Sequence, residues 1–62
     1  MNIINAILKD IKENGVARSV EIKNVRGHIA EIHYTRFDNF NKSSIRSVTT
    51  HKDDAREINE KV

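Results

Sequence analysis

The feature that most constrains the fold is the alternation of apolar and polar residues in Ser19–Phe37, SVEIKNVRGHIAEIHYTRF, on both sides of the turn-forming segment 24–27. Side chains of a strand alternate between the two faces of a sheet, so a register shift of one residue exchanges the faces. A three-residue loop at 25–27, with Gly27 in the left-handed position, keeps the apolar residues on one face, whereas either two-residue turn within this segment mixes the faces. The pattern therefore predicts a β-hairpin of strands 16–24 and 28–37. Its predicted cross-strand pairs are Ile22–Ala30, Val20–Ile32 and Arg18–Tyr34.

The segment before the hairpin predicts a helix over residues 2–15. Its apolar residues recur at the spacing of one helix face; they are Ile3, Ile4, Ile7, Leu8 and Ile11. Asn2 is a typical N-cap, and Asn14-Gly15 favours a helix end in a left-handed turn. Because a hairpin with one apolar face follows directly, we expect the stripe to pack on that face rather than on a membrane surface or a partner.

Residues 45–50, IRSVTT, are ambiguous. Four of these six residues are β-branched, which favours a third strand. The three-residue spacing of Ile45 and Val48 suits a helix instead, so the alternative is a longer C-terminal helix that begins near Ser43. In either case residues 51–62 are predicted to be helical, with Thr50 and Asp53 as a capping box. The narrow apolar stripe of this helix, Ala55, Ile58 and Val62, is expected to pack on the sheet or against a second protomer.

These elements predict a single small α+β domain over residues 1–62. An N-terminal helix packs on an antiparallel β-hairpin or three-stranded sheet, and a short C-terminal helix follows, in the order α-β-β-(β)-α. The loop 38–44 lies between Phe37 and Phe40, and we expect at least one of these rings to fold back over the thin core. A chain of 62 residues with this core often gains stability by oligomerising.

Composition limits the cellular setting. The chain has no cysteine, which excludes disulfides and thiolate metal sites and fits a reducing cytoplasm. No apolar run approaches the roughly 20 residues that span a bilayer. We therefore expect a soluble cytoplasmic protein that does not insert into a membrane.

The residues that commonly perform chemistry form no recognisable motif. His28 and His33 lie an odd number of positions apart on one predicted strand and so face opposite sides, and His51 has no partner at helical spacing, so neither a metal nor another cofactor is expected. Asp38, His33 and Ser43 or Ser44 have the residue types of a nucleophilic set, but such types occur in almost any sequence. A chain this short has little room for a substrate pocket. We expect a protein that is not an enzyme and has no small-molecule substrate.

The segment 36–52 is the most basic part of the chain. Hydroxyl and amide residues, which contact phosphates as basic residues do, are interleaved with four basic side chains; these are Arg36, Lys42, Arg46 and Lys52. Over residues 18–62 the order of hairpin, third strand and helix resembles, in topology and without a diagnostic motif, the three-stranded DNA-binding modules of phage integrases. The resemblance implies a sheet face that reads a DNA groove. Glu21 and Glu31, predicted to lie opposite each other on that face, and the N-terminal helix depart from it.

Protein interaction is the leading hypothesis. The predicted contacts are an apolar and a basic residue at the hairpin tip and two isolated apolar residues; they are Val25, Arg26, Ile29 and Phe40. The net charge of +2 is compatible with either class of partner. We expect a small accessory or regulatory protein, of the kind that bacteria and phages encode, that binds a protein partner or a second copy of itself. Nucleic-acid binding by segment 36–52 is the alternative, and it requires the four basic side chains to converge.

Overall fold

The computed structural model describes residues 2–62 and has the element order α-β-β-β-α. The elements are helix α1 (Ile3–Asn14), a 3₁₀ turn (Ala17–Ser19), strands β1 (Glu21–Arg26), β2 (Ile29–Phe37) and β3 (Ser43–His51), and helix α2 (Lys52–Lys61). The strands form one antiparallel sheet in the order β1-β2-β3. The predicted α+β class is confirmed, and residues 45–50 belong to a third strand rather than to a longer helix.

Both helices cover the same face of the sheet, where the core lies. The central strand β2 contributes Ala30, Ile32 and Tyr34, and each helix contributes two buried side chains; these are Ile7 and Ile11 of α1 and Ala55 and Ile58 of α2. Burying a side chain of this kind contributes about 1.5–3 kcal/mol for the larger residues. The monomer covers Ala55 and Ile58 of the predicted α2 stripe completely, whereas Val62 remains 41% exposed.

The hairpin turns later than predicted. The chain reverses at Gly27-His28, a two-residue turn that places Arg26 opposite Ile29. Gly27 has a φ of 59°, which fits the first position of a type II′ turn. One residue is then inserted at Asn24-Val25, where Asn24 has a φ of 54° and β1 forms a β-bulge.

The bulge explains why the predicted register is wrong although its parity is right. Ile22 pairs with Ile32, not with Ala30. A two-residue turn alone would bring polar residues of β1 to the covered face, and the inserted residue shifts the strand back by one position. The apolar residues therefore share the face that was predicted, two positions out of the predicted register.

The predicted first strand begins too early. Residues 17–19 form the 3₁₀ turn, so the expected pairs Arg18–Tyr34 and Val20–Ile32 are not made. This segment nevertheless follows β2, because Val16 N–H donates to the Thr35 carbonyl (3.0 Å) and Thr35 N–H donates to Ser19 Oγ (2.8 Å). A side-chain oxygen here takes the place of a backbone acceptor.

The helix ends are partly as predicted. Asn2 caps α1 through its Oδ1, which accepts from Ile4 N–H at 2.9 Å. Gly15 ends α1 with a φ of −117°, outside the left-handed region, so the predicted left-handed turn is wrong. Glycine is favoured there by close approach, since a Cβ would lie 3.1 Å from the carbonyl oxygen of Ile11 and 3.2 Å from that of Thr35, tighter than most Cβ contacts.

The cap of α2 is His51 rather than Thr50. His51 Nδ1 accepts from Asp53 N–H at 3.3 Å. Thr50 points to the covered face of the sheet, where it is buried and donates to the His51 carbonyl at 3.1 Å. Within residues 2–62, neither helix has the length and apolar character needed to cross a membrane.

Candidate interaction surface

Within residues 2–62, no element covers the sheet face opposite the helices, and we call it the open face. It carries residues of all three strands: Glu21, Lys23 and Arg26 of β1, Ile29, Glu31, His33, Thr35 and Phe37 of β2, and Ser43, Ile45, Ser47, Thr49 and His51 of β3. Helices on one face only leave these side chains to water or to a partner.

The charges of the open face are matched by the register. Lys23 lies opposite Glu31, and Glu21 lies opposite His33, so the predicted opposition of Glu21 and Glu31 is wrong. His33 Nε2 lies 2.7 Å from Glu31 Oε1, and Asn24 Nδ2 donates to the same oxygen at 2.9 Å. These hydrogen bonds hold the pKa of Glu31 below its ordinary value, and the bond with His33 has the largest effect. The centre of the open face is therefore an internally paired polar cluster.

Apolar side chains flank this polar cluster. Ile29 is 47% exposed, Phe37 41% and Ile45 66%. Because Phe37 pairs with Ser43, Ile45 is its diagonal neighbour on the same face, a position from which long side chains interact. The β2–β3 end of the open face is thus its most apolar part.

The loop between β2 and β3 projects Phe40 beside this apolar end. The carboxylate of Asp38 accepts from Phe40 N–H at 2.8 Å and from Lys42 N–H at 3.0 Å, and Asn41 has a φ of 60°. These two hydrogen bonds to the Asp38 carboxylate hold residues 38–42 in a turn. Phe40 remains 83% exposed and Phe37 lies on the open face, so the expectation that one ring covers the core is wrong.

The outer edge of β3 is a long row of unpaired backbone groups. In an antiparallel ladder, the N–H and C=O groups of successive residues point alternately to either side of the strand. At the ends of the β2–β3 ladder the bonded residues are even-numbered, since Lys52 N–H donates to the His28 carbonyl (2.7 Å) and Asp38 N–H donates to the Lys42 carbonyl (3.0 Å). The register between these bonds is continuous. The odd-numbered residues therefore direct their backbone groups outward; they are Ser43, Ile45, Ser47, Thr49 and His51.

Within residues 2–62, no other strand pairs with these outward groups. β3 is nine residues long, and its residues 43–47 are exposed whichever face they occupy. A long edge without a bulge is a template for pairing with another chain.

A groove of ≈ 220 Å³ runs beside the same edge on the helix side. Ile3 and Ala6, on the exposed flank of α1, line it together with Val48 of β3. Ile3 is 53% exposed, so this member of the predicted apolar stripe lies outside the core, next to β3. Apolar surface therefore flanks the edge on both sides, with Ile45 on the open face.

The polar end of this groove is an ion cluster around Asp10. The carboxylate accepts from Arg36 Nε (3.0 Å to each oxygen), from Arg46 (3.3 Å), from Asn14 (3.0 Å) and from the Tyr34 hydroxyl. Burial raises the pKa of Asp10, but these hydrogen bonds outweigh burial and hold the pKa well below its ordinary value. Among the hydrogen bonds, the one from Arg36 has the largest effect. Burial and the bond to Asp10 raise the pKa of Tyr34 to about 12. The cluster joins α1 to β2 and β3.

Of the four basic residues predicted to bind nucleic acid, two are brought together and two are not. Arg36 and Arg46 share Asp10, which partly neutralises them. Lys42 precedes β3 and Lys52 follows it, so the length of a nine-residue strand, roughly 30 Å, separates their backbones.

The four residues predicted to bind a protein partner lie in two places. Val25, Arg26 and Ile29 are exposed at the hairpin end of the sheet, whereas Phe40 lies at the other end of β2, about 25 Å away along a nine-residue strand. The β3 edge between these ends was not predicted. Its signal in the sequence is a β-branched run without proline or glycine, whose only charged residue is Arg46.

The remaining candidate residues are engaged separately. His28 stacks on His51 with ring centroids 5.7 Å apart, His33 bonds Glu31, and the Asp38 carboxylate is taken up by its own loop. The residue types of a nucleophilic set are therefore present but not assembled. In the part of the chain from residue 2 onward, no group of three or more His, Asp or Glu side chains is close enough to hold a metal ion.

Comparisons of the chain with protein families, with curated proteins and with solved structures found no match. The basis for a function is therefore the geometry described above.

Proposed function

We propose that this protein is a non-enzymatic binding protein that pairs with another polypeptide through the outer edge of β3. The observation that carries the proposal is the length and unbroken register of this edge, which has unpaired backbone groups over Ser43–His51 and apolar surface on either side. A peptide that adds to a sheet edge gains affinity from main-chain hydrogen bonds and specificity from alternate side chains. In β3, the outward backbone groups would make the main-chain hydrogen bonds. The flanking side chains of Ile3 and Ile45 would contact the alternate side chains of the peptide.

The expected strength of such pairing is moderate. A hydrogen bond contributes about 0.5–1.5 kcal/mol net, and ordering the incoming strand costs part of the sum. Apolar contacts at Ile45 and in the groove beside Val48 add to it. These magnitudes suit a reversible accessory or regulatory interaction. We place this interaction in the cytoplasm, because a chain without cysteine is suited to a reducing compartment.

The test is a selection of random strand-length peptides, displayed and panned on the folded protein. Ser47→Pro removes one outward N–H and keeps the backbone bonds to β2, and Ser47→Ala is the matched control that keeps the N–H. Both variants lose the hydrogen bond between Ser47 Oγ and His33 (3.3 Å), so that loss cancels in the comparison. We expect selected peptides to alternate β-branched or aromatic with polar residues, to bind the Ala variant as they bind the wild type, and to lose binding to the Pro variant. Peptides that bind both variants equally, or the absence of any selected peptide for a chain that is monomeric in solution, would contradict the proposal.

Nucleic-acid binding through segment 36–52 has less support, because Asp10 shares Arg36 and Arg46 and because Lys42 and Lys52 lie far apart. A mobility shift with random DNA and RNA over a salt series tests it. Phosphate contacts predict binding that falls steeply with salt and weakens when Lys42→Ala and Lys52→Ala are combined. We expect no shift at low salt.

A further inference from the structure

We propose that the strand that pairs with β3 is the β3 of a second copy of this chain, antiparallel, with the two-fold axis between the two Ser47 residues. The inference rests on the proposed function and names its partner. It follows from the register that the outward backbone groups allow and from the side chains that this register brings together.

The outward groups define the register. Ser47 is the middle member of the outward set, Ser43, Ile45, Ser47, Thr49 and His51. Placing Ser47 opposite its own copy pairs every member of the set, Ile45 with Thr49 and Ser43 with His51. Centring the pair on Arg46 or on Val48 leaves at least one outward residue without a partner. The central register therefore makes the most ladder bonds.

The side chains agree with this register. Within β3, Arg46 lies opposite Val48 of the second copy, so no charge of the strand itself faces a like charge. Just beyond each end of β3, the same register places Lys42 opposite Lys52 of the second copy. Centring on Arg46 would instead oppose the two guanidinium groups, which is destabilising in a directly opposite pair. On the open face, Ile45 faces Thr49 of the second copy, a pair of β-branched residues of the kind that stabilises sheets.

The same register also covers the groove beside the edge. Residues that pair across the axis have the same parity, so the two copies present their helices on the same side of a continuous six-stranded sheet. The N-terminal half of α1, with Ile3 and Ala6 exposed, lies on that side next to Val48. The second copy therefore brings apolar surface to apolar surface there, on the opposite side of the sheet from the Ile45–Thr49 pairs.

A charge exchange at the axis tests the register. Ser47→Lys or Ser47→Glu alone places like charges opposite each other, and we expect self-association to weaken about fivefold to tenfold in analytical ultracentrifugation. An equimolar mixture of the two variants should recover association at least to the wild-type level, because Lys then lies opposite Glu. Thr49→Lys and Thr49→Glu are the comparison pair, on the same strand and face but opposite Ile45. Each removes the Ile45–Thr49 pairs and should weaken association, but mixing the two should give no recovery, because their charges do not lie opposite each other.

Disulfide trapping between introduced cysteines gives a second readout. Because the chain has no cysteine of its own, each single-cysteine variant can form a disulfide only at the introduced position. In the proposed register only position 47 lies opposite itself, so Ser47→Cys should form a disulfide-linked dimer under mild oxidation. Ile45→Cys and Thr49→Cys should each form no disulfide alone, since the two copies of each position are offset by four residues. A mixture of these two variants should form disulfide-linked dimers. Trapping at 45 alone, or equal trapping at all three positions, would overturn the register.

The two proposals can fail separately. A wild-type chain that stays monomeric at every concentration, yet binds strand peptides in a manner sensitive to Ser47→Pro, would overturn the second copy and leave the proposed function standing. A chain that neither self-associates nor binds such peptides would overturn both.

Discussion

The two edges of the sheet are built in opposite ways. β1 is six residues long, is interrupted by the bulge at Asn24-Val25, and carries Lys23 and Glu21, which pair with each other on its surface. β3 is nine residues long and unbroken, and the guanidinium of Arg46 turns towards Asp10 beneath the helix. A short, bulged and charged strand is a common protection against edge-to-edge pairing. β1 has this protection and β3 lacks it.

The backbone direction sharpens the contrast. Thr35 donates to Ser19 and accepts from Val16, so the odd-numbered residues of β2 face β1. In β1, Glu21 and Lys23 direct their backbone groups towards β2, and Ile22 between them directs its N–H and C=O outward. Beyond Lys23 the bulge interrupts the regular ladder. One edge thus offers a single regular position and the other a whole strand. This difference, rather than the polar open face, is the reason to assign binding to β3.

The largest expected effect comes from removing the anchor that turns Arg46 away from the edge. Asp10→Asn removes the charged acceptor of Arg36 and Arg46. The Asp10 side chain is 16% exposed, but those of Arg36 and Arg46 are 32% and 49% exposed, so water screens part of the loss. We expect the free energy of unfolding to fall by about 1.5–3 kcal/mol, the range for hydrogen bonds to a charged group. Urea denaturation measures the change. Asp53→Asn, at an exposed carboxylate, is the control and should cost less than about 1 kcal/mol. Similar losses for both variants would contradict the assigned role of Asp10.

The same anchor makes stability depend on pH. The folded state lowers the pKa of Asp10, so the unfolded chain binds more protons at acid pH and stability rises with pH. This contribution is complete above the unfolded pKa of about 4 and is lost as the pH falls below it. Denaturation midpoints should decline from about pH 5 downward in the wild type and decline less in Asp10→Asn. Parallel declines in both proteins would place the acid sensitivity elsewhere.

The bulge that protects β1 depends on a residue that tolerates the left-handed conformation. Asn24→Val puts a β-branched residue at a φ of 54°, and we expect a loss of about 1–2 kcal/mol. Asn24→Gly accepts this φ and should stay within about 1 kcal/mol of the wild type. A Val variant as stable as the wild type would show that the bulge is not fixed at this residue.

The smallest expected effect on folding is at the unprotected edge. Ile45 is 66% exposed, so Ile45→Thr should change the free energy of unfolding of the monomer by no more than about 0.5 kcal/mol. Its self-association should nevertheless weaken, because the Ile45–Thr49 pair occurs twice in the proposed dimer. A loss of stability without a change in association would assign Ile45 to the monomer fold.

Much of the architecture follows from the sequence pattern. The periods of α1, of the hairpin and of α2 locate the elements to within a few residues, and parity identifies the covered face. The register could not be derived, because a two-residue turn with a bulge has the same parity as a three-residue loop. The helical spacing of Ile45 and Val48 was misleading, because on an edge strand one of them faces the core and the other faces the open side.

The candidate site was harder to predict than the fold. Its central property is which backbone groups lack a partner, and this depends on strand order rather than on residue type. Residue types indicated Arg36 and Arg46 as a basic surface, whereas Asp10, twenty-six or more residues away in the sequence, engages both. No spacing in the chain predicts that contact.

Amide hydrogen exchange, followed residue by residue by NMR in dilute and concentrated solutions, tests the difference between the two edges most directly. The outward amides of Ile45, Ser47 and Thr49 should become protected as the concentration rises, whereas Val48, bonded to β2, should be protected throughout. The outward amide of Ile22 on β1 should exchange at the same rate in both solutions. Outward β3 amides that exchange as fast in the concentrated solution as in the dilute one would contradict the account.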